Sequence, residues 1–529
     1  MEEIKTYINR LLIFITFIFF TDYFIRIISF SDFIVHKEKP NIKQPSSIAI
    51  ERSSKDYFYF IQVTDIHINT KVNNGAREAF GEFIALANKL NPEFIAITGD
   101  IVDSRQNFTA GAIEEDYQEY AKICKLSKCQ IYDVVGNHDR FGLERDEDYF
   151  HLKYFQNKEK SYFKIIKGNL FVFIDGTLSF SPRGFLNFFG NFNDKEFANK
   201  IKNELAKEYK HVFIFCHYPS NVITSEYPEV FQGSVYLCGH FHDLLFFPQM
   251  YYLHPNGCLE AELCDFKKNR MYRIVTVDNG IVNFNDIKLN NKPIIAILTP
   301  KDAKFKSTLE PEIETKYLRF LVFNSCNIKV YFDGKEIEIQ KENNNLYSAS
   351  LPRLKGKIKI IANNHHGQSA YEISTHDTNT CYNIILNINF RYFTSLLFIF
   401  FILIYIYTLN ALITPKIKIL SYFISFIYYG RFTNKNWYYI TSTFAYPSWC
   451  ISYDIIFAFT FFLLIVEGTY LMYKNSVISI WWYLAVGCLN AYFFHFNIGL
   501  AFSLFEFWLC FEIILLILKK YLIYNKKRN

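Results

Sequence analysis

The sequence has little of what marks a cysteine-based scaffold or a nucleic-acid binder. Its eleven cysteines are scattered, with no CxxC pair and no dense disulfide pattern, so we expect no disulfide framework. Cys124 and Cys129 are close enough to close a small loop in an oxidising compartment, but two ordinary thiols explain this spacing equally well. The net charge of +6 is modest and is not gathered into one basic face, which argues against a nucleic-acid partner.

A signal-peptidase site is also missing near the N-terminus. Residues 11–30 form an apolar run that Asp22 and Arg26 weaken in its second half. A cleaved signal peptide needs a short apolar core followed by a small-residue site, and no A-x-A-like site follows this run. We therefore predict a retained signal anchor over residues 1–31.

Apolar residues, in contrast, are abundant and unevenly placed. Hydrophobic residues make up 50% of the chain and aromatic residues 19%, which is high for an ordinary soluble protein. Beyond residue 391, four charge-poor runs are each long enough to span a bilayer: 392–412, 450–473, 477–496 and 500–518. A shorter run, 417–430, fits either a span or an interfacial segment. The sequence therefore predicts a multi-span membrane region over 392–524.

Acidic residues lie inside these runs, at Asp454, Glu467, Glu506 and Glu512. Because a carboxylate facing lipid is costly, we expect them to pair within a helical bundle or to lie near its ends. A transport path through the bundle is the alternative interpretation.

The charge distribution predicts an orientation in the membrane. With a cytosolic N-terminus, residues 32–391 lie in the lumen or outside the cell, and Asn107 in the triplet "NFT" is a glycosylation candidate. Lys416, Lys418 and the basic tail 519–529 then belong in the cytosol. This arrangement requires 417–430 to count as a fifth span after the middle of the chain, and six spans in all.

The middle of the chain reads as a layered α/β domain over residues 55–290. Helical apolar spacing occurs in 76–90 and 194–209. Short apolar runs that predict buried strands alternate with these helices: "YFYFIQVT", "EFIAIT", "QIYDVV", "LFVFID", "HVFIFC" and "SVYLC". After residue 290 the pattern changes to short alternating strands with turn signals such as "FDGKE", which predict a small immunoglobulin-like β-sandwich over 291–378. His365 and His366 in its "NNHHGQ" turn are read as surface residues.

Five of the predicted α/β strands end in side chains that bind metals. The strands run into "TDIH", "TGDIVD", "GNHD", "CHYP" and "GHFHD". In α/β sheets ligands collect beyond the carboxyl ends of the strands, so these side chains are expected to meet. Asp, His and Asn without Cys suit Zn, Fe or Mn, and the set is too large for one ion. The glycines before Asp100, Asn137 and His240 allow the tight turns that bring ligands inward.

The ordered series D-x-H, G-D-x-x-D, G-N-H-D, H and G-H-x-H resembles the calcineurin-like metallophosphoesterases. The stretches "NFFGNFNDKEF", "YLCGHFHD" and "CDFKKNRMYRIVTVDNG" are similar to the transmembrane protein 62 family within that group. The resemblance implies a four-layer αββα sandwich with a centre of two divalent metal ions. It implies one metal held by Asp65, His67 and His242, a second held by Asn137, His217 and His240, and Asp100 bridging the two. It further implies that His138 assists the leaving oxygen, that Asp139 orients His138, and that Asp103 supports a ligand loop.

The sequence therefore predicts a multi-pass membrane protein that hydrolyses phosphoric esters with a metal-bridging hydroxide. The substrate is open among monoester, diester, nucleotide and lipid head group, and membrane attachment makes a lipid or glycolipid phosphate one candidate. Two alternatives remain: a non-catalytic membrane protein that uses the fold as a binding module, and a transporter that the domain regulates.

Overall fold

The computed structural model describes residues 38–376, apart from 73, 104–112, 141–149, 178–189, 243–248, 315, 326 and 366, together with residues 427–431 and 437–441. The expected anchor 1–31, the runs 392–412, 450–473, 477–496 and 500–518 with their four acids, and Asn107 lie outside these residues. No helix among the described residues is long and apolar enough to cross a membrane.

Residues up to 290 form two sheets with helices outside them. In chain order the elements are β1 (Ser47–Ile48), β2 (Tyr57–Val63), α1 (Ala76–Leu90), β3 (Ile95–Thr98), α2 (Glu114–Cys124), β4 (Ile131–Val134), α3 (Phe150–Tyr154), β5 (Tyr162–Ile166), β6 (Asn169–Ile174), β7 (Gly190–Phe192), α4 (Lys195–Leu205), β8 (Val212–Cys216), β9 (Ile223–Ser225), β10 (Val235–Cys238), β11 (Gln249–Leu253), β12 (Leu259–Leu263), β13 (Met271–Asp278) and β14 (Ile281–Lys288). Short 3₁₀ turns lie at His138–Arg140 and Pro228–Phe231.

The two sheets form the middle layers of the sandwich. The first has the order β14-β13-β2-β3-β4 and the second the order β11-β12-β10-β8-β6-β5. Strands β2, β3 and β4 are parallel to one another, as are β6, β8, β10 and β12. Buried aromatic rings fill the space between the sheets, with Phe60 stacked on Phe94 at 4.7 Å and edge-on to Phe171 and Phe213. Such rings bury large apolar areas at favourable geometry, which explains why "LFVF" forms a strand buried on both faces and why Phe58 and Phe60 of "YFYF" are buried.

The helices form the outer layers, as the apolar spacing predicted. Helix α1 buries Phe80, Phe83 and Ile84 against the outer face of the first sheet. Helix α4 buries Phe197 and Ile201 against the second sheet. The Asp194 side chain accepts a hydrogen bond from the Phe197 N–H at 2.9 Å and so caps the start of α4. The four-layer αββα arrangement is therefore confirmed.

The following residues form two further antiparallel sheets that pack face to face. The elements in this part of the chain are β15 (Ile294–Thr299), β16 (Glu312–Ile313), β17 (Tyr317–Phe323), β18 (Asn327–Phe332), β19 (Lys335–Ile337), β20 (Ile339–Lys341), β21 (Leu346–Ser350), β22 (Lys357–Asn364) and β23 (Gly367–Ser374), with a 3₁₀ turn at Ala303–Phe305. β16 lies outside the two sheets and pairs with β1. The sheet orders are β15-β17-β21-β20 and β19-β18-β22-β23, and a shared apolar cluster lies between them. The "FDG" signal forms the expected hairpin, because Asp333 and Gly334 both take positive φ. His365 lies in an exposed turn, as predicted. The immunoglobulin type of this sandwich stays a prediction.

This β-sandwich shares a core with the α/β body. Alternate residues of β15 face opposite ways: Ile295 and Ile297 pack inside the sandwich, while Ile294 and Ala296 join the cluster around α1. Asn285 on β14 accepts a hydrogen bond from the Ile297 N–H at 2.8 Å. The predicted boundary at residue 290 therefore divides the sequence pattern but not the hydrophobic core.

The remaining described residues correct one expectation. β24 (Ile427–Arg431) pairs antiparallel with β25 (Trp437–Thr441). The last four residues of the run 417–430 therefore lie in a strand, while residues 417–426 lie outside the described residues. Tyr and Ile favour strands, which is the local reason for the pairing. The described residues therefore do not support 417–430 as the fifth membrane span that the predicted orientation requires.

The cysteine spacing does not produce a disulfide. Cys124 is a buried free thiol at the end of α2, and Cys129 is a half-buried free thiol. The interpretation as two ordinary thiols is correct for this pair.

Candidate metal centre

The predicted ligands meet at one end of the αββα sandwich. Asp65 and His67 follow β2, Asp100 and Asp103 follow β3, residues 137–139 follow β4, His217 follows β8, and His240 and His242 follow β10. Strands β2, β3 and β4 belong to one sheet, and β8 and β10 to the other. The carboxyl ends of parallel strands from both sheets open onto the same site, where all of these side chains except those of His240 and His242 are at least nine-tenths buried.

One group of side chains has the spacing of a metal site. Ligand atoms from Asp65, His67, Asp100 and His242 all lie within 4.8 Å of one another. His242 Nε2 lies 2.9 Å from Asp65 Oδ1, and His67 Nε2 lies 3.6 Å from Asp100 Oδ2. Ligands that share one ion at about 2 Å stand roughly 3–3.5 Å apart. These residues can hold one divalent ion with little movement.

A second group lies on the other side of Asp100. Asn137 Oδ1 is 3.0 Å from His217 Nε2 and 3.1 Å from His240 Nδ1, and the two ring nitrogens are 3.2 Å apart. Asp100 Oδ1 lies 3.4 Å from His217 Nε2. One carboxylate oxygen of Asp100 thus faces each group, which is the geometry of a bridging ligand.

The backbone holds these side chains in uncommon conformations. Five of the seven predicted ligands have positive φ, which costs roughly 1–3 kcal/mol for a residue that carries a Cβ. They are Asp65 (52°), His67 (55°), Asp100 (52°), His240 (83°) and His242 (60°). Positive φ also occurs at turn residues elsewhere in the chain, but five such residues meeting at one site is a mark of function.

Two glycines allow the strand ends to approach closely. A Cβ at Gly136 would lie 2.2 Å from Asp100 Oδ1, and a Cβ at Gly239 would lie 2.4 Å from Asp65 Oδ2. Any larger residue would therefore push Asp100 or Asp65 out of the site. This explains in physical terms why G-N-H and G-H-x-H carry their glycines.

The protonation of the site suits cation binding. Burial lowers the pKa of His67 to about 4, so this imidazole is neutral near pH 7 and keeps a lone pair. Both ring nitrogens of His67 are buried and lack a hydrogen-bond partner among the described residues. Burial alone would raise the pKa of Asp65, but His242 outweighs it and keeps that pKa well below its usual range. A buried orphan imidazole beside ionised carboxylates is what an oxygen- and nitrogen-coordinated divalent ion requires.

Backbone contacts also orient His217. Its Nδ1 donates to the Thr98 carbonyl at 2.9 Å. The proton on Nδ1 leaves the lone pair on Nε2, which faces Asn137 and Asp100. This partner fixes the tautomer that a metal ligand needs.

His138 lies beside the two groups and contacts Asp103. Its Nδ1 lies 3.2 Å from Asp103 Oδ1, and its Nε2 lies 3.9 Å from Asp100 Oδ2. Burial raises the pKa of Asp103, but the neighbouring imidazoles of His138 and His67 outweigh it and hold that pKa well below its usual range. His138 thus contacts Asp103 at one ring nitrogen while the other faces the centre. Ligand atoms of His67, Asp103 and His138 also lie within 4.8 Å of one another.

The expected role of Asp139 is wrong in its geometry. Its carboxylate accepts hydrogen bonds from the backbone N–H groups of Ile101 at 2.8 Å, Val102 at 2.9 Å and Gly136 at 2.7 Å. Burial, followed by the charge of Asp100, raises the pKa of Asp139. Asp139 thus fastens the loop after β3 to the loop after β4, and the carboxylate that contacts the His138 ring is that of Asp103.

Sequence reasoning missed one charged residue in the site, Lys267. Its Nζ lies 2.5 Å from Asp103 Oδ2, although 164 positions separate the two residues. A lysine in a polar turn is normally a surface residue, so no local signal pointed to it.

The chain is similar in sequence to known proteins. The family model for the calcineurin-like phosphoesterases matches residues 58–244. Transmembrane protein 62 of Mus musculus is 27% identical over 326 residues, which cover 56% of this chain and 51% of the mouse protein. An Arabidopsis thaliana protein whose name assigns it provisionally to the metallophosphoesterases is 27% identical over 335 residues, 49% of this chain and 44% of the plant protein. The chain thus spans about half the length of the curated relatives it matches.

Two solved structures are similar at low sequence identity. A dimetal phosphatase from Danio rerio covers 41% of this chain and 95% of its own, with 11% identity and a TM-score of 0.30. A protein from Thermus thermophilus covers 44% of this chain and 99% of its own, with 14% identity and a TM-score of 0.30. On the family match and the ligand motifs that it contains, the chain carries a calcineurin-like metallophosphoesterase domain.

Proposed function

We propose that this chain is a metal-dependent hydrolase of phosphoric esters with a dinuclear centre. The observation that carries the proposal is the position of Asp100, whose two carboxylate oxygens face two separate ligand groups. Zn, Fe and Mn all suit the donor set of carboxylate, imidazole and amide oxygen. When bound, two such ions would supply Lewis-acid activation of water and neutralise charge at phosphorus.

The protein's own residues would perform the remaining steps. Asp65, His67 and His242 would hold one ion, and Asn137, His217 and His240 the other. His138 would donate a proton from Nε2 to the leaving oxygen, since this nitrogen faces the centre while Nδ1 faces Asp103.

The alternative of a binding module is less well supported. A module that only binds a partner has no need for a buried carboxylate–histidine pair beside its metal ligands, or for five strained ligand residues. The transporter alternative rests on the four acids in the apolar runs, which lie outside the described residues.

The first prediction concerns activity itself. Full-length protein purified in detergent is expected to hydrolyse a generic phosphomonoester or phosphodiester when Mn²⁺ or Zn²⁺ is added. A chelator should abolish turnover, and added metal should restore it. Without metal the site contains only carboxylates, imidazoles and an amide, and none of these is a Lewis acid that activates water. Turnover that persists at full rate in metal-free protein would contradict the proposal.

The place where the described chain enters the domain determines how a membrane anchor over 1–31 would orient the site. The carbonyls of Glu38 and Lys39 accept hydrogen bonds from Asn256 and Gln232, which precede β12 and β10. These contacts lie at the amino ends of the strands, at the end of the sandwich opposite the metal ligands. The last strand of the β-sandwich, β23, ends at Ser374. The Ser374 backbone N–H donates to the Asp302 carboxylate, and the Asp302 N–H donates to the Asn283 side chain close to the amino end of β14.

This arrangement bears on the substrate. The six residues 32–37 reach at most about 22 Å, so an anchor over 1–31 would hold the amino ends of the strands near the bilayer. The metal ligands would then face away from it. This geometry favours a phosphoester that arrives from the aqueous phase over a lipid or glycolipid phosphate of the same membrane.

The second prediction concerns orientation. In sealed vesicles the α/β domain is expected to resist added protease, and Asn107 is expected to carry a glycan, because both would lie in the lumen. A tag on each terminus reports the number of crossings independently. A digested domain and an unmodified Asn107 would contradict the lumenal placement and leave the proposed chemistry unaffected.

A further inference from the structure

Lys267 is carried by a rigid turn of residues 265–270, which we call the basic turn. The Asp265 carboxylate accepts hydrogen bonds from the Lys268 N–H at 2.6 Å and from Asn269 Nδ2 at 2.6 Å. The Arg270 side chain donates to the Phe266 carbonyl at 2.9 Å. These contacts close the turn on itself, so its backbone position does not depend on the Lys267 side chain.

The basic turn is bonded directly to the segment that carries the first metal ligand. The Phe266 N–H donates to the Thr64 carbonyl at 3.0 Å, and the Lys267 N–H donates to the Asp65 carbonyl at 2.9 Å. Residues 265–270 lie beyond the stretch 58–244 that matches the family model. A segment outside the family match therefore delivers a cation into the centre.

The Lys267 side chain reaches a carboxylate that has almost no contact with water. The Asp103 side chain is 5% exposed and that of Lys267 is 18% exposed, and Nζ lies 2.5 Å from Asp103 Oδ2. The other oxygen of Asp103 lies 3.2 Å from His138 Nδ1. The same oxygen lies 3.7 Å from His67 Nδ1. Oδ2 therefore faces Lys267 while Oδ1 faces the two imidazoles, and rotation of the carboxylate would break these contacts. A buried carboxylate that loses its cation is strongly disfavoured, so Lys267 has a large effect on how Asp103 is held.

We propose that Lys267 is a positioning residue for the reaction: it fixes the Asp103 carboxylate, and through Asp103 it fixes the ring of His138. The inference rests on the proposed function, because His138 acts there as the proton donor. Lys267 itself contacts no predicted metal ligand through its side-chain nitrogen among the described contacts. It acts through another residue, which distinguishes it from a lysine that binds the substrate phosphate directly.

The first test compares leaving groups in the full-length protein. Lys267→Met keeps an unbranched side chain as far as Cε and removes the charged Nζ, Lys267→Arg keeps the charge, and Lys268→Met removes the exposed neighbouring lysine as a matched control. Two aryl phosphoesters are used, a nitrophenyl ester with a good leaving group and a phenyl ester with a poor one. A poor leaving group depends more on protonation, so a misplaced His138 affects it more.

Lys267→Met is expected to lower kcat about tenfold for the nitrophenyl ester and roughly a hundredfold for the phenyl ester, with little change in KM and in bound metal. Lys267→Arg should recover most of this loss, and Lys268→Met should match the unsubstituted protein. Equal losses for both esters, or a loss in KM alone, would overturn the inference, because they indicate a general structural role or direct substrate binding.

The second test needs no turnover. Lys267→Met is expected to lower the midpoint of thermal unfolding, and this effect should disappear in the Asp103→Asn background, where no buried charge is left unpaired. A lowering that is the same in both backgrounds would overturn the pairing. If the unsubstituted protein hydrolyses neither ester, the proposed function fails. If it hydrolyses both and Lys267→Met behaves like Lys268→Met, only this inference fails.

Discussion

Asp100→Asn is expected to lower turnover at least a thousandfold and to lose most of both metal ions. The two oxygens of the carboxylate face the two ligand groups, at 3.6 Å from His67 Nε2 and 3.4 Å from His217 Nε2. An asparagine keeps one oxygen and replaces the other with an NH₂ group, which carries no lone pair for a cation. The site also loses one negative charge. A thousandfold loss corresponds to about 4 kcal/mol in the activation barrier, which is within reach of a residue that serves both ions.

The measurement pairs elemental analysis of the desalted protein with its turnover. Asp194→Asn is the matched control, because Asp194 caps α4 far from the centre and asparagine is an equally good helix cap. The control should retain both metals and full activity. An Asp100→Asn protein that retains two metal equivalents per chain would contradict the bridging role, even if it were inactive.

The sequence was sufficient for the parts of the fold that depend on local pattern. The runs "LFVFID" and "HVFIFC" became strands because apolar side chains on both faces can be buried only between layers. The ligand motifs could be placed together because each follows such a strand. The parallel order of β2, β3 and β4 then brings their carboxyl ends to the same end of the sandwich.

The features that the sequence predicted wrongly or missed depend on contacts between residues far apart in the chain. Asp139 is adjacent to His138 in sequence, but the backbone amides of Ile101 and Val102 occupy its carboxylate. Asp103, 35 positions earlier than His138, makes the contact with the His138 ring that was expected of Asp139. Lys267 could not be found, because a lysine in a turn has the same local pattern whether it faces water or a buried acid. The run ending at 430 resembled a span, and only its pairing with β25 identified the strand.

The corrected contacts sharpen the distinction between a metal ligand and a proton donor. His240 Nδ1 lies 3.1 Å from Asn137 Oδ1 and 3.2 Å from His217 Nε2, inside the second ligand group. His138 lies outside both groups, with one nitrogen at Asp103 and the other 3.9 Å from Asp100 Oδ2. A nitrogen that coordinates an ion has no lone pair left to carry a proton, so the two histidines cannot exchange roles.

His138→Ala is therefore expected to keep both metals and lose roughly a hundredfold or more in kcat, the usual scale of general acid–base assistance. His240→Ala is expected to lose metal as well as activity, because it removes one of the nitrogens of the second group. His365→Ala, in an exposed turn of the β-sandwich, is the matched control and should change neither quantity. Metal content and kcat measured on the same preparations separate the cases. If His138→Ala released metal as readily as His240→Ala, His138 would be a ligand, and Asp103 would serve to hold a metal site instead of orienting a proton donor.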